Sequence, residues 1–338
     1  MTPELITLFM FATMMVLLFT GQRVFGVIGF VGSAAALWLW GNGAVEMPFN
    51  QAFQVLNWYP LITVPFFVFM GYMMSESGIA SNLYRMFHVW FGPVRGGLAL
   101  GTMGLMVLIS CINGLSVAGM AIGATIALPE LLKRGYDKIM VTGVIQGGST
   151  LGILMPPSVV LVLFAMIARA PITELWLAGI MPGLLMATIF GIYIYVRCRI
   201  QPEMGPPIDP EELAQYTMRD KLLLLREGTM PVAVFAIMMT LFLTGITSLT
   251  ESSVVGAVLA TIAAALSGRL NWQILESTTR NTLLISCMFL WIILGALCFS
   301  SVYDGLGAVR AIENLLLNTF GLDPWGILIL MLLSFIVM

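Results

Sequence analysis

An uncharged stretch extends from Ile139 to Ala168, long enough for one helix to cross the roughly 30 Å hydrocarbon core of a bilayer. Its middle part, QGGSTLGILMPPS at residues 146–158, is rich in residues that interrupt helices. Proline cannot donate a backbone hydrogen bond and clashes with the carbonyl four residues earlier, while glycine tolerates the dihedral angles that result. We therefore expect 146–158 to be an unwound joint between two half-helices, at a depth where free backbone groups are costly.

Composition places most of the chain in or against the membrane. Of its 338 residues, 59% are hydrophobic and 9% are charged, whereas soluble domains carry about 25% charged residues. Charge-free windows recur at 24–45, 47–75, 96–129, 139–168, 175–196, 228–250 and 281–303, with shorter ones at 5–22 and 252–268. The sequence thus predicts an all-α polytopic membrane protein without a soluble domain. The N-terminal window, 5–22, has the features of a span rather than of a cleaved signal peptide.

Basic residues indicate the orientation, because positively charged loops stay in the cytoplasm. Placing the most charged loop, 197–227, inside puts the N-terminus outside and every Lys and Arg except Arg169 and Arg310 inside. A single helix over 96–129 would be about 50 Å long and would violate this scheme. We predict instead a re-entrant hairpin with arms of roughly 22 Å and its tip in CINGLS, residues 111–116. Two short full spans joined by a tight turn would distribute the charges equally well.

An internal repeat relates the two halves of the chain. SGIASNLYRMFHVWFGPVRGGLAL at 77–100 resembles DGLGAVRAIENLLLNTFGLDPWGILIL at 304–330, and Gly78 and Gly307 lie 229 positions apart. Each unit runs as span, span, long span, surface helix and hairpin, and the second unit starts on the opposite side of the membrane. Such inverted repeats are a design of secondary transporters. By symmetry, the rest of a second hairpin and a second broken helix should follow, so we expect this sequence to be C-terminally truncated.

The repeat and the two breaks divide the chain into six segments. They are the first-repeat scaffold helices and amphipathic arm (1–95), re-entrant hairpin 1 (96–132), the discontinuous helix of a transport domain (133–170), a span with a cytoplasmic linker (171–228), the second-repeat scaffold helices and arm (229–320) and the start of an incomplete hairpin 2 (321–338). Broken helices in inverted repeats suit alternating access, which disfavours a channel.

The two predicted breaks supply neutral oxygen ligands and free helix ends. Free carbonyls can coordinate a small cation, and the N-terminus of the second half-helix can face an anion. The candidate ion and substrate site consists of Ser110, Asn113, Gly114 and Ser116 in the hairpin and of Gly147, Gly148, Ser149, Thr150, Gly152, Pro156, Pro157 and Ser158 in the joint. Neither element contains Lys, Arg, Asp or Glu, so sodium is favoured over a proton relay. A proline kink with glycine packing is the alternative reading of the joint.

Nothing in the sequence indicates an enzyme. It contains no nucleophile–base pair, no phosphate-binding loop and no metal-ligand cluster, and its four cysteines are scattered without metal-site spacing. An intramembrane enzyme would need ionisable groups in the apolar segments. We therefore expect no catalytic residue and no cofactor, with Na⁺ as a coupling ion only.

With both breaks located, the chain resembles the large membrane subunit of TRAP (tripartite ATP-independent periplasmic) transporters. The most specific blocks are LPELLKRGYDKIMVTGVIQGGSTLGILMPPS at 128–158 and LWLAGIMPGLL at 175–185, with weaker similarity at 64–84 and 250–257. The chain departs from the family's usual Pro-Thr-Glu-Ala at Leu249 and Ser252, and from a Gly-Ser-Ser hairpin tip at Asn113-Gly114-Leu115-Ser116.

This resemblance implies an elevator-type, sodium-coupled importer in a bacterial inner membrane. A periplasmic substrate-binding protein would deliver a small organic acid of the dicarboxylate or sugar-acid class. A separate small membrane subunit would brace the scaffold. The resemblance also implies a sodium site between the hairpin tip and the joint at 146–158. A stand-alone ion-coupled anion transporter of similar fold, without a binding protein, is the alternative function.

Overall fold

The computed structural model describes residues 2–41, 43–114, 116, 119–120, 123–207, 217–319 and 323–337. Within these ranges the chain is mostly helical and contains no strand. Four of the described helices are long and apolar enough to cross a membrane, or up to six spans result if each of two bent helix pairs counts as one. The prediction of an all-α polytopic membrane protein is confirmed.

Most of the described helices follow one another with short connections. The first ten are α1 (Pro3–Phe19), α2 (Val24–Ala35), α3 (Glu46–Leu56), α4 (Thr63–Glu76), α5 (Ile79–Phe91), α6 (Gly97–Asn113), α7 (Leu128–Lys133), α8 (Lys138–Leu154), α9 (Val159–Ala168) and α10 (Ile172–Ile200). The others are α11 (Met218–Leu243), α12 (Leu249–Leu266), α13 (Trp272–Gly305), α14 (Ala308–Asn314) and α15 (Pro324–Val337). Single π-helical turns occur at Ala36–Trp40, Gly123–Ala127 and Leu315–Thr319.

One compact unit consists of Met1–Tyr59 and Cys287–Met338. Here α2 approaches the C-terminal half of α13 very closely, because a Cβ atom on Gly32 would lie 2.8 Å from the Cα atom of Phe299. Small residues permit such backbone contact between membrane helices, where dispersion forces drive association. The core of this unit contains Met10, Val27, Val31, Ala36 and Val302.

The other compact unit is Pro60–Ser286. In this unit α6 packs along α8, α4 along α12 and α5 along α11. The guanidinium group of Arg269 donates hydrogen bonds to the carbonyls of Ser77 (3.3 Å) and Gly78 (2.9 Å), which holds the turn before α5. Buried side chains of α5, α6 and α8 form most of an apolar cluster in this unit, including Leu83, Leu98, Leu105, Met106, Val141 and Leu151.

The predicted hairpin occurs as two antiparallel arms. At the end of α6, Gly114 adopts the left-handed conformation (φ +64°) that reverses the chain after a helix. On the return arm, Gly119 lies against Ser110 and Gly123 against Met106, which is the pairing expected of a chain that turns near Gly114. With 17 residues, α6 is about 25 Å long, shorter than the bilayer core. The re-entrant depth of the hairpin stays a prediction.

The prediction of an unwound joint over 146–158 is wrong in its extent. Residues 146–154 continue α8 as regular helix, and the break is confined to Met155–Ser158, where the axes of α8 and α9 differ by 43°. The reason is that proline restricts the residue before it, and Met155 is extended (ψ 139°), but proline does not unwind the preceding turns. The glycines of α8 remain helical, and two of them pack against α6.

The window 47–75, predicted as one long span, is also interrupted. α3 ends at Leu56, a short 3₁₀ turn covers Tyr59–Ile62, and α4 begins at Thr63. Pro60 accounts for the end of α3, because its ring would clash with the carbonyl of Leu56 if the helix continued. The position 229 residues later is Phe289, and α13 runs through it without interruption.

The order of helices supports the internal repeat. α4 ends at Glu76 and α13 ends at Gly305, which are 229 positions apart. The next helices, α5 and α14, both follow a left-handed glycine, Gly78 (φ 72°) and Gly307 (φ 86°). The two halves therefore share the turn that follows the long apolar segment, although that segment is broken between α3 and α4 and continuous in α13. Their inverted orientation stays a prediction.

Candidate functional site

The hairpin tip and the helix break touch inside the unit Pro60–Ser286. The carbonyl of Gly114 accepts a hydrogen bond from the backbone N–H of Val159, the first residue of α9, at 3.2 Å. A Cβ atom on Gly114 would lie 2.8 Å from the carbonyl oxygen of Pro157, so both its conformation and its close approach require glycine. The structure thus brings the two irregular segments into direct contact.

Behind the tip, α6 and α8 approach each other through small residues. A Cβ atom on Gly152 would overlap Ser110, including its backbone, and one on Gly148 would lie 2.6 Å from the Cβ atom of Met106. These two glycines are one helical turn apart and form the small-xxx-small pattern that lets membrane helices pack closely. Ser149, between them, is fully buried, and its hydroxyl donates to the carbonyl of Gln146 at 3.0 Å.

The Ser110 hydroxyl is one of six buried side-chain hydroxyls that have no hydrogen-bond partner in the described parts of the chain. The residue is fully buried, and its Oγ atom has no hydrogen-bond partner among the described residues. A helical serine commonly bonds to a carbonyl of its own helix, as Ser149 does. A buried hydroxyl left unpaired costs about 1–3 kcal/mol. Ser110 lies beside Gly119 and Gly152, where the hairpin meets α8.

The break itself exposes carbonyls at the end of α8. The helical donors to the carbonyls of Gly152 and Ile153 would be the amides of Pro156 and Pro157, which do not exist. The peptide bond between these two prolines is cis, and both residues are buried. The C-terminal end of α8 therefore offers backbone oxygens, and the negative end of the helix dipole favours a cation there.

The N-terminus of α9, in contrast, is already capped. The hydroxyl of Ser158 accepts from the N–H of Leu161 at 3.1 Å, and the N–H of Val159 is bound by Gly114. The expected anion site at this helix end therefore lacks support, because two of its first amide donors are occupied by the protein.

For four of the predicted site residues, the structure shows no side-chain contact at the junction of the hairpin tip and the helix break. Gly147 faces α10, where a Cβ atom would lie 3.5 Å from the ring of Phe190. Thr150 is exposed, and its hydroxyl donates to carbonyls of its own helix. The side chain of Asn113 lies outside the described residues, and Ser116 is half-buried between residues that also lie outside them.

Three residues of α10 pack against the break, and the sequence did not predict a role for any of them. The indole N–H of Trp176 donates to the carbonyl of Ser158 at 3.3 Å. A Cβ atom on Gly179 would overlap the carbonyl of Leu154. A Cβ atom on Gly183 would lie 2.7 Å from Cγ of Met155. Their spacing of three and four residues places them on one face of α10. That spacing, within LWLAGIMPGLL, was the available signal.

The contact region is electrically neutral in its side chains. No Lys, Arg, Asp or Glu occurs in 97–113 or 139–168, and no group of three or more His, Cys, Asp or Glu residues that could hold a metal occurs in the described parts of the chain. Neutral hydroxyl and carbonyl oxygens at broken helix ends are the ligands that secondary transporters use for Na⁺. Ser110, Ser149 and the end of α8 supply such atoms.

A helical hairpin packed on a broken membrane helix, with uncharged oxygens at their contact, is an arrangement typical of secondary transporters. The chain belongs to the DctM component family of the tripartite ATP-independent periplasmic transporters, whose family model matches residues 11–338. The resemblance noted from the sequence is therefore confirmed. The family consists of transporter permeases and not of enzymes, in agreement with the expectation.

Individual relatives carry the same assignment. The chain is 26% identical over 303 residues to the C4-dicarboxylate TRAP transporter large permease protein DctM of Pseudomonas aeruginosa, covering 88% of this chain and 68% of that protein. It is 26% identical over 335 residues to the ectoine/5-hydroxyectoine TRAP transporter large permease protein UehC of Ruegeria pomeroyi, covering 97% and 75%. It is 34% identical over 143 residues to DctM of Vibrio cholerae, covering 42% and 32%. The expected truncation stays a prediction.

Proposed function

We propose that this chain is the large membrane subunit of a sodium-coupled importer that takes up a small organic acid by elevator-type alternating access. The single observation that carries the proposal is the hydrogen bond from Val159 N–H to the Gly114 carbonyl, beside the unpartnered Ser110 hydroxyl. It ties a hairpin tip to a helix break at uncharged oxygens, as in ion-coupled transporters with broken helices. Na⁺ would bind Ser110 Oγ, Ser149 Oγ and carbonyls at the end of α8.

The substrate class is the less constrained part of the proposal. Relatives are named for C4-dicarboxylate, ectoine, isethionate and sialic acid, so the family accommodates different small polar compounds. Most of these are organic acids, and we assign a dicarboxylate or sugar acid to this chain. A periplasmic binding protein and a small membrane subunit complete the tripartite system. The N-terminus lies in the periplasm, following the distribution of basic residues.

Reconstitution tests this function directly. The full-length protein is placed in proteoliposomes with its small subunit, and uptake of radiolabelled succinate and sialic acid is measured with and without a sodium gradient and the binding protein. We expect uptake only when the gradient, the small subunit and the binding protein are present together. Uptake that proceeds without the binding protein favours the stand-alone anion transporter. Uptake driven equally by a proton gradient contradicts sodium coupling.

The Ser110→Ala variant tests the proposed sodium site. Removing an unpaired buried hydroxyl leaves stability without sodium unchanged or raises it, whereas losing one ion ligand lowers sodium affinity by about tenfold. Ser149→Ala and Asn113→Ala in the full-length protein should also weaken sodium dependence at normal expression. Thr142→Ala is the matched control, since its hydroxyl bonds only to carbonyls of α8 near the other end of the helix. An unchanged sodium affinity in Ser110→Ala and Ser149→Ala rejects the site.

A further inference from the structure

The unit Pro60–Ser286 also contains an apolar cavity of about 620 Å³ between α6, α8 and α10. Met103 of α6, Val144 of α8, and Ile189 and Phe190 of α10 contribute to its walls. Most of its lining is aliphatic or aromatic, and it is separate from the contact between Gly114 and Val159. Its volume and apolar walls suit hydrocarbon rather than a small polar substrate.

Two glycines of α8 make the floor of this cavity. Both Gly143 and Gly147 line it, one helical turn apart. A Cβ atom on Gly143 would have no described atom within 4 Å, and one on Gly147 would make only ordinary contact with Phe190 at 3.5 Å. Unlike Gly148 and Gly152, these glycines are not required by a packed neighbouring helix. They leave a smooth strip of helix backbone on which a linear chain can lie.

Charged groups occur at one end of the cavity only. Arg197 lies in the last turn of α10, and Asp137 is the N-cap of α8, where its carboxylate accepts from Met140 N–H at 2.9 Å. A second, more polar cavity of about 660 Å³ shares Asp137 and Met204 with the first and adds Glu203. The two cavities therefore adjoin at Asp137 and Met204; Arg197 lines the apolar one, and the only charged residue that the polar one adds is the acidic Glu203.

This arrangement matches an amphiphile with a zwitterionic head. An arginine at the end of a spanning helix lies at the level of lipid phosphates and can bind them with two parallel hydrogen bonds. The carboxylates of Asp137 and Glu203 complement an ammonium group, and they oppose a head group that is only negative. A primary ammonium donates hydrogen bonds to carboxylates, which a quaternary ammonium cannot do.

We propose that the cavity binds one phospholipid with an ethanolamine head group. Its acyl chain lies over Gly143 and Gly147, its phosphate is bound by Arg197 and its ammonium group by Asp137. The site belongs to the membrane-facing side of α8 and is independent of the proposed transport function. A lipid here would fill the space between α8 and α10, the helices that carry the break and its supports.

Lipid titration with three phospholipids tests the proposal. The full chain is purified in detergent, stripped of lipid and titrated with dioleoyl phosphatidylethanolamine, phosphatidylcholine or phosphatidylglycerol, and bound lipid is counted by native mass spectrometry. We expect one tightly retained phosphatidylethanolamine and weaker binding of the other two. Equal retention of all three lipids contradicts the assignment of the head group, and stronger phosphatidylglycerol binding contradicts the role of the carboxylates.

Three variants separate the parts of the site. Gly143→Leu fills the floor and should abolish retention of all three lipids, while Arg197→Gln should weaken each by about tenfold. Asp137→Asn keeps a good N-cap for α8 and should remove only the preference for ethanolamine over choline. Thr188→Ala, exposed on α10 and outside the cavity lining, is the matched control.

Two results would overturn the proposal. Unchanged lipid retention in Gly143→Leu would show that the bound lipid lies elsewhere. Loss of a co-purifying membrane subunit in that variant, with lipid retention intact, would show that the cavity receives a protein helix. If Gly143→Leu does not fold, Asp137→Asn still decides the question, because an undiminished preference for ethanolamine rejects the head-group site.

Discussion

Two faces of α8 use the same residue type for opposite purposes. Gly148 and Gly152 lie against α6, and neither leaves space for a Cβ atom. Gly143 and Gly147 border the apolar cavity, and both leave space for one. Glycine in a membrane helix therefore marks either a close helix contact or an open surface, and only the neighbouring helix distinguishes them. Alanine substitutions along α8 measure this difference directly.

Gly152→Ala should have the largest effect. Its methyl group would overlap Cβ and the backbone of Ser110, which cannot give way by rotating a side chain. Overpacking of this kind costs about 1–3 kcal/mol, and we expect a loss near the upper limit. The measurement is the midpoint of thermal unfolding of the purified protein, followed by tryptophan fluorescence.

The double variant Ser110→Gly with Gly152→Ala is the control for this prediction. Removing Cβ of Ser110 relieves part of the overlap, so the double variant should be more stable than Gly152→Ala alone. The backbone of Ser110 remains in place, so recovery should be incomplete. Equal stability of the two variants would show that the cost arises somewhere other than the contact between α6 and α8.

Gly148→Ala should be the next most damaging change, at about 1–2 kcal/mol. The methyl group would lie 2.6 Å from Cβ of Met106 and 3.2 Å from Sδ of Met103. The flexible Met103 side chain can adapt, whereas Cβ of Met106 is fixed by α6. Hydrogen exchange of α6 amides should increase in this variant. A larger loss here than in Gly152→Ala would reverse the order that the structure gives.

The sequence predicted the course of the helices better than their interruptions. Uncharged windows located the spans, because an apolar segment of sufficient length must be helical in a bilayer. Prolines were harder to interpret. Pro60 follows the end of α3, yet Pro182 and Pro231 lie inside the continuous helices α10 and α11. Whether a helix continues through a proline depends on the neighbouring helices that pack around the lost hydrogen bond. Composition carries no information about those neighbours.

The candidate site was predictable in its location and not in its detailed contacts. The density of Gly, Pro and hydroxyl residues identified 110–116 and 146–158, and Gly114 does touch the break. That Gly147 and Thr150 face away, and that α9 is capped by Ser158 and Gly114, depends on the rotation of α8 and the path of the hairpin. Trp176 was missed because its partner, the Ser158 carbonyl, is a backbone atom that any sequence would supply.

Gly147→Ala tests the open face and should be stabilising. The methyl group would meet the ring of Phe190 at an ordinary contact distance of 3.5 Å. Alanine also loses less backbone freedom than glycine in a helix, so we expect a gain of about 1 kcal/mol from both effects. The unfolding midpoint of the delipidated protein provides the measurement. A loss as large as that of Gly148→Ala would mean that α10 packs on α8 more closely than the structure shows.

Gly143→Ala should produce the smallest change, a gain of about 0.5 kcal/mol from reduced backbone freedom alone. No described atom lies within 4 Å of the new methyl group, so neither a clash nor a new protein contact follows. In delipidated protein the small gain should raise the unfolding midpoint slightly. When phosphatidylethanolamine is added, the methyl group would press against the acyl chain, and the gain should shrink or disappear. An equal gain in stability with and without lipid would show that the lipid does not contact this face of α8. Gly143 and Gly147 would then line a helix surface to which no lipid binds.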